Sequence, residues 1–504
     1  MKLTLRYPRS QAALLFVNCL AAWIVLAQDK TEPQRGQPET LMRQGQLAEA
    51  REQLASSIKR NPDAVPNRIL LTRVLLLEDN FDEASEQIRR ALTLAPENAE
   101  ALALYGHCLF REGSFSQSET QYAKSLRVNP KQPAAHLGMG RIHLTRLQAA
   151  RSVESLERAI SLAPQEEDVY FFASEAYAAL KNYARQAECL AKYLDLKPKF
   201  NPERVQNAQA LLTFVRSFEG PIATIAEPAR KYEMAAQPFY GLMLVEGHVN
   251  GQGPYRFLVD SGATSTVLSN QLIDSLKVPV ISTAVISCVG GTGRTATRLG
   301  KVDKFQVGEL EIRNLPVSSF DNQIFAELID GVLSTADLAD FLITLDYPDQ
   351  KIGLVPRAAA AAKAPSPAIT ASLETSFRIL GNLVLLPVSI NQRSPQSFLF
   401  DTGAVTSALS KRQAAFLGVR EDTPNASVDI QFAGACGITQ SVLGVNQVDL
   451  SLQSLKTSYA KILAVDLKEI SKELRTEVSG ILGADFYSKR KVTIDYKNTK
   501  LVIE

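Results

Sequence analysis

From residue 31 to about residue 218 the apolar positions fall at helical spacing, and proline punctuates them at a fixed interval. Pro62, Pro96, Pro130, Pro164 and Pro198 recur every 34 residues. Proline cannot continue a helical hydrogen-bond ladder, so each one ends a second helix and opens the next turn. Other positions keep step: Phe81, Phe115 and Tyr183 share one slot, with Ala149 the exception. Gly106 and Gly140 fall where two helices approach closely, and Ala84, Ser118 and Ser152 fill the facing small site, from which Gln186 departs. Five units fit, the first without a convincing leading helix, and residues 201–218 extend the pattern as a closing helix. Such units cannot bury their apolar faces alone, so they are expected to stack into a solenoid with a concave groove.

After a connector over 219–231, which holds Pro221 and Pro228, the period shortens to two. β-branched and aromatic runs broken by Asn250-Gly251 and Gly290-Gly291 predict an all-β region from Tyr232 onward. Within it one sequence is written twice. Phe257-Leu258-Val259-Asp260-Ser261-Gly262-Ala263 is answered by Phe398-Leu399-Phe400-Asp401-Thr402-Gly403-Ala404. The repeat continues on both sides: 242–245 falls on 383–386, and Asp330-Gly331-Val332-Leu333 answers Ser479-Gly480-Ile481-Leu482. Two copies of a half-domain, 232–356 and 373–504, therefore flank the low-complexity linker 357–372.

Each repeat runs an apolar strand into a carboxylate, a small hydroxyl residue and a glycine. Burial at a strand end raises the cost of charging Asp260 or Asp401, and a second carboxylate nearby raises it further. Two such groups can share a proton, one acting as general base on a water while the other donates to a carbonyl oxygen. Ser261 and Thr402 can bond across to the opposite loop, and Gly262 and Gly403 let the two backbones approach. No metal and no cofactor is needed.

On these residues the region 232–504 resembles the aspartic peptidase superfamily in its compact retropepsin-like form, duplicated in tandem. Residues 31–218 resemble a tetratricopeptide array. The resemblance implies a multidomain chain: an all-α solenoid followed by an all-β, two-lobed pseudo-dimer with Asp260 and Asp401 as its catalytic pair. It also implies a flap hairpin in each lobe, with Gly290, Gly291 and Gly293 in one and Gly434 and Gly437 in the other. Neither candidate carries an aromatic flap residue, and a plain turn with no substrate contact stays open for both. Ile481-Leu482-Gly483 keeps the family pattern, whereas Val332-Leu333-Ser334 has serine in the glycine place, so the floor of the first lobe is expected to pack differently. The implied substrate is a polypeptide, with a protein partner or substrate docked in the array's groove. A fold that binds peptide without cutting it, and a scaffold, remain as alternatives, as does a domain-swapped dimer in place of lobes paired within one chain.

Composition adds limits. The 504 residues are 45% hydrophobic and 21% charged with a net charge of +2, and no basic block supports nucleic acid as a partner. Residues 1–27 read as an export signal, with Lys2, Arg6 and Arg9 ahead of the apolar run 12–26, which predicts a periplasmic or extracellular protein. Membrane attachment is expected only if that segment stays uncleaved. Cys19 lies within it. The other four cysteines, Cys108, Cys189, Cys288 and Cys436, are too scattered for a disulfide framework, and the expectation for Cys288 and Cys436 is two buried free thiols. His107, His136 and His143 read as packing or surface residues. There is no H-E-x-x-H, G-x-S-x-G or phosphate-binding glycine loop.

Overall fold

The computed structural model describes residues 37–321, 328–357, 373–424, 426–428, 432–439 and 441–504. The segment 1–27 read as an export signal, with Cys19, and the linker beyond Arg357 lie outside the described residues.

Two compact units divide the chain after Leu94. The first holds the helix pairs Gln37–Gln44 with Leu47–Arg60 and Val65–Leu77 with Phe81–Leu94. The first pair does have a leading helix, a short one. Buried Arg68 donates to the Pro62 carbonyl from Nε and Nη2 (3.0 and 2.8 Å) and to Gln87 (2.6 Å), so the turn that proline imposes is tied to the next pair.

The second unit begins with three more pairs: Ala99–Arg111 with Phe115–Val128, Pro133–Leu144 with Ala149–Leu162, and Glu167–Ala179 with Tyr183–Asp195. A closing helix, Pro202–Arg216, follows. Asn98, Asn182 and Asn201 each cap a helix by accepting a backbone N–H three residues on. The small slot seen in the sequence works through hydrogen bonds: Ser118 donates to the Gly106 carbonyl (2.7 Å) and Ser152 to the Gly140 carbonyl (2.8 Å). His136 sits against the Pro130 carbonyl and His143 against Gln148, while burial and neighbouring arginines push His107 down to about 3.

The β region forms two lobes of one plan. In lobe 1, Gln252–Asp260 lies between the antiparallel strand Leu242–Val249 and the parallel strand Gly331–Ser334, within a nine-stranded sheet. In lobe 2, Gln396–Phe400 lies between Leu383–Ile390 and the parallel strand Gly480–Leu482, within a seven-stranded sheet. A central strand running into a loop between two neighbours is what fixes the position of the residue at its end.

A third sheet of six strands draws on both lobes, in the order Leu373–Ser376, Lys500–Ile503, Lys491–Asp495, Phe341–Asp346, Lys351–Pro356, Tyr232–Ala235. Across the lobe boundary Ile343 stands opposite Ile494, and the hydroxyls of Thr344 and Thr493 meet at 3.0 Å. Both isoleucines are fully buried, in an apolar core that runs continuously through the two lobes. The lobes thus pair within one chain.

Candidate active site

Asp260 and Asp401 leave the ends of their strands on two loops that bond to each other with near-perfect reciprocity. The Ser261 amide donates to Thr402 Oγ1 (2.9 Å), and the Thr402 amide donates to Ser261 Oγ (3.1 Å). Each hydroxyl then donates to a carbonyl on the opposite strand: Ser261 to Phe400 (2.8 Å) and Thr402 to Val259 (3.0 Å). All four groups are buried, where an unpaired partner would carry the full desolvation penalty. Glycine follows because nothing larger fits. A Cβ on Gly262 would lie 2.6 Å from the Asp401 carboxyl carbon, and one on Gly403 would lie 2.6 Å from that of Asp260.

The two carboxyls stand side by side, both accepting from the one Gly403 amide. Burial, reinforced by the charge of Asp401, pushes Asp260 well above the usual carboxylate range, and burial raises Asp401 as well. Backbone amides moderate this. Gly262 donates to Asp260 (2.6 Å), and the Gly403 amide is shared between Asp260 (3.0 Å) and Asp401 (2.9 Å). The physical result is a pair holding one proton over a range in which an isolated aspartate would be ionised.

Further residues buttress the loops, and sequence reasoning did not single them out. Asp337 Oδ2 accepts from the amide and hydroxyl of Thr266 (2.8 and 2.7 Å), and Asp485 Oδ1 accepts from the amide and hydroxyl of Ser407 (2.9 and 2.6 Å). Thr266 and Ser407 stand six residues after their respective aspartates, and an Ala-Asp pair follows each closing strand, which is the signal that could have found them. Burial raises Asp337 to about 6. Tyr487 donates to the Asp401 carbonyl (2.7 Å). Ser334, in the glycine place, donates its hydroxyl to the Ala263 carbonyl (2.7 Å) and caps the short turn Thr335–Leu338, so the first floor is closed by a side-chain bond. Among the described residues no group of three His, Cys, Asp or Glu side chains could hold a metal ion.

The sequence model described as aspartyl protease matches residues 245–336 and again residues 386–486. Two tetratricopeptide repeat models match 41–92, and 73–133 with 137–199. The chain carries two aspartyl protease segments behind a tetratricopeptide array. No curated protein matches it. Among solved structures, the tetratricopeptide protein TTC0263 of Thermus thermophilus is 22% identical, over 35% of this chain and 95% of that one, with a TM-score of 0.31. The type IV pilus biogenesis factor PilW is 20% identical over 35% and 80% of the two chains (TM-score 0.29). The pilF protein of Pseudomonas aeruginosa is 17% identical over 36% and 81% (TM-score 0.29).

In each protease lobe the candidate flap glycines sit at a hairpin tip. Gly290, Gly291 and Gly293 join the strands Val280–Ser287 and Arg294–Val307, while Gly434 and Gly437 belong to the hairpin of Phe432–Gly434 and Gly437–Thr439. The tips meet. Cys436 donates its amide to the Val289 carbonyl (2.9 Å), and Gly291 donates to the Ile438 carbonyl (3.2 Å). Here the expectation of free thiols fails: Cys288 and Cys436 form a disulfide, because two hairpins from different lobes converge tip to tip. Cys108 and Cys189 are free and buried.

The array also reaches the protease lobes. Side chains alternate along a strand, so Leu399 shares its face with Asp401, whose amide continues the ladder to the Leu482 carbonyl. Leu399 pairs with Ile481, which pairs with Ala408, and all three are almost fully buried in a cluster with Phe110, Phe115 and Ile142 of the array. The helix Ala99–Arg111 is docked by its end: the Phe110 carbonyl accepts from Thr476 Oγ1 (2.8 Å) and the Arg111 carbonyl from the Glu477 amide (2.7 Å). The Phe110 carbonyl also accepts from the Gly113 amide (3.0 Å) in the turn that closes the helix, so the threonine adds a second donor to a helix-end acceptor. Val332 and Val267, the lobe 1 counterparts of Ile481 and Ala408, are only half-buried.

Proposed function

We propose that the protein is an aspartic endopeptidase. Asp260 and Asp401 share one proton; the ionised carboxylate takes a proton from water as that water attacks the peptide carbonyl carbon, and the protonated partner donates to the carbonyl oxygen. The tetrahedral species collapses with proton transfer to the leaving amine, and no covalent enzyme intermediate forms. The observation that carries this reading is the reciprocal Ser261–Thr402 bonding, which holds the two carboxyls side by side on the shared Gly403 amide. Ser261, Thr402, Gly262 and Gly403 are positioning residues for that pair. The array binds a protein substrate or partner. Export to the periplasm or the exterior belongs to the same proposal, and the Cys288–Cys436 disulfide supports an oxidising compartment.

The test is hydrolysis of unfolded casein across acidic to neutral pH by wild type, Asp260→Asn and Asp401→Asn. Loss of cleavage in both variants is expected; cleavage at the wild-type rate in either removes the proposal. One observation favours a second reading, peptide capture without hydrolysis: array helices cover the dyad-side face of lobe 2. Retention of intact casein by wild type with no turnover at any pH would select it.

A further inference from the structure

We infer that Tyr487 is a positioning residue for the aspartate pair: packed on rings from both lobes, it fixes the Asp401 peptide unit and so ties the junction of the lobes to the site of chemistry. The inference rests on the proposed use of Asp260 and Asp401.

The peptide unit between Asp401 and Thr402 is gripped from both ends. Its N–H donates to Ser261 Oγ of lobe 1 (3.1 Å). Its carbonyl accepts from the Tyr487 hydroxyl at 2.7 Å, and from the Ala404 amide at 3.3 Å in the closing bond of the turn. The Asp401 side chain hangs from the Cα at one corner of this unit, so whatever moves the unit moves the carboxyl. Lobe 1 lacks the device. Two residues after Asp337, where Tyr487 follows Asp485, stands Ala339, which has no hydroxyl to offer.

Tyr487 closes the short helix Ala484–Tyr487, which is tied to the loop after Asp401. The Ala484 amide donates to the Ala404 carbonyl (2.8 Å), and the Asp485 amide to that of Val405 (3.2 Å). The Tyr487 ring is almost fully buried and packs on two others. One is Phe400, the residue before Asp401, with centroids 5.1 Å apart; the second is Tyr347 of lobe 1, at 5.5 Å. Tyr347 comes directly after the strand Phe341–Asp346, which meets Lys491–Asp495 at the lobe junction. The sequence repeat puts Tyr496 in the same place after Lys491–Asp495, and its hydroxyl meets that of Thr335 in lobe 1 at 2.6 Å. Each lobe thus sends the tyrosine that ends its junction strand into the closing turn of the other. The exchange is unequal, because Tyr347 alone reaches a residue that bonds the aspartate loop.

A shift of one lobe against the other therefore acts through Tyr347 on Tyr487 and arrives at Asp401 as a displacement of its carbonyl. A general base must stand within hydrogen-bond reach of its water, and misplacement by about an ångström can cost about a hundredfold in rate. Without the hydroxyl, the carbonyl keeps only the longer bond from Ala404, and the carboxyl drifts from its neighbour. Two carboxyls further apart couple less, so the pair gives up its first proton at higher pH and its second at lower pH.

The test compares the full-length wild type with Tyr487→Phe, which keeps the ring and removes the hydroxyl, and with Tyr347→Leu, which keeps that hydroxyl and removes the ring beside it. Three quantities are read: kcat and KM for casein across pH, the thermal midpoint, and the titration of Asp260 and Asp401 by carboxyl-carbon NMR of aspartate-labelled protein. The two signals are identified by their loss in Asp260→Asn and Asp401→Asn. Tyr487→Phe is expected to lower kcat by about tenfold or more with KM within about twofold. The limbs of its pH profile should draw together, as should the two pKa values of the pair. Tyr347→Leu should move each quantity the same way by less. A folded Tyr487→Phe protein with unchanged kcat and unchanged titration overturns the assignment, and so does a lowered thermal midpoint alone. Should Tyr487→Phe fail to fold, Tyr347→Leu decides by the same readings. Failure of wild type to cut casein at any pH removes the peptidase reading, and the titration then decides the role of Tyr487 by itself.

Discussion

Ser261 and Thr402 are each other's donor and acceptor, a pair of different residues performing one role twice across the lobe boundary. Because the amide of each meets the hydroxyl of the other, neither loop has a settled position alone. Replacing Thr402 with Ala leaves the Ser261 N–H and the Val259 carbonyl without these partners, at a cost of about 1–3 kcal/mol. Thr402→Ser should restore most of it, since the hydroxyl and not the methyl makes the bonds. Urea unfolding of the two variants checks this; equal midpoints would show the hydroxyl to be idle.

Gly403→Ala places a methyl 2.6 Å from the Asp260 carboxyl carbon, with backbone as its only base. The expected outcome is loss of hydrolysis by about a hundredfold or more, as for removal of a general acid or base, because the two carboxyls are pushed apart. Full activity in this variant would mean the close approach is not needed for turnover.

The pH profile follows from the sign of the shifts. Asp260 is raised well above the usual range by burial and by Asp401, so the singly protonated pair persists into a pH region where an ordinary aspartate, near 4, is ionised. Activity should therefore form a bell whose alkaline limb lies well above the range of an ordinary aspartate. A kcat/KM profile that already collapses near pH 4 would contradict it.

Asp337 supplies a separate, structural pH dependence. Its folded pKa is raised to about 6, so folding favours the protonated form; its contribution is complete below pH 4 or so and is lost as pH rises through about 6. The loss is on the order of 3 kcal/mol. Asp337→Asn keeps an acceptor for both Thr266 bonds and should flatten this part of the stability curve. Thermal melts of the variant and wild type between those limits give the comparison.

Docking of the array is testable at Thr476. Thr476→Val removes one of the donors to the Phe110 carbonyl, which keeps the Gly113 amide (3.0 Å), weakening the contact by about 0.5–1.5 kcal/mol. Faster amide exchange over 105–113 with no change in the exchange of 341–346 is the expected pattern. Exchange unchanged at the helix end would show that the apolar cluster alone holds it.

What the chain revealed in advance tracks how local each determinant is. The helix pairs were readable because proline and the small-residue slots repeat at one interval, and the lobes because Asp-Ser-Gly and Asp-Thr-Gly sit inside a longer repeat. The Cys288–Cys436 bond was not readable: the two residues lie at unequal distances from their aspartates and meet only because hairpins of different length converge. Asp337 was missed for a related reason. Its partner Thr266 precedes it by 71 residues, and the same feature in lobe 2, Ser407 with Asp485, spans 78, so the repeat alone does not align them. Nor did any pattern announce that Phe110 and Leu399 share a core, since each reads as an ordinary interior residue of its own domain.

Joining both halves in one polypeptide frees them from identity. A symmetric homodimer must alter both copies at once, whereas Ser334 here closes one floor with a hydroxyl bond while Gly483 closes the other bare. The same independence lets one face serve as a mooring for the helices while its twin stays open, and each half can be redesigned without disturbing the other.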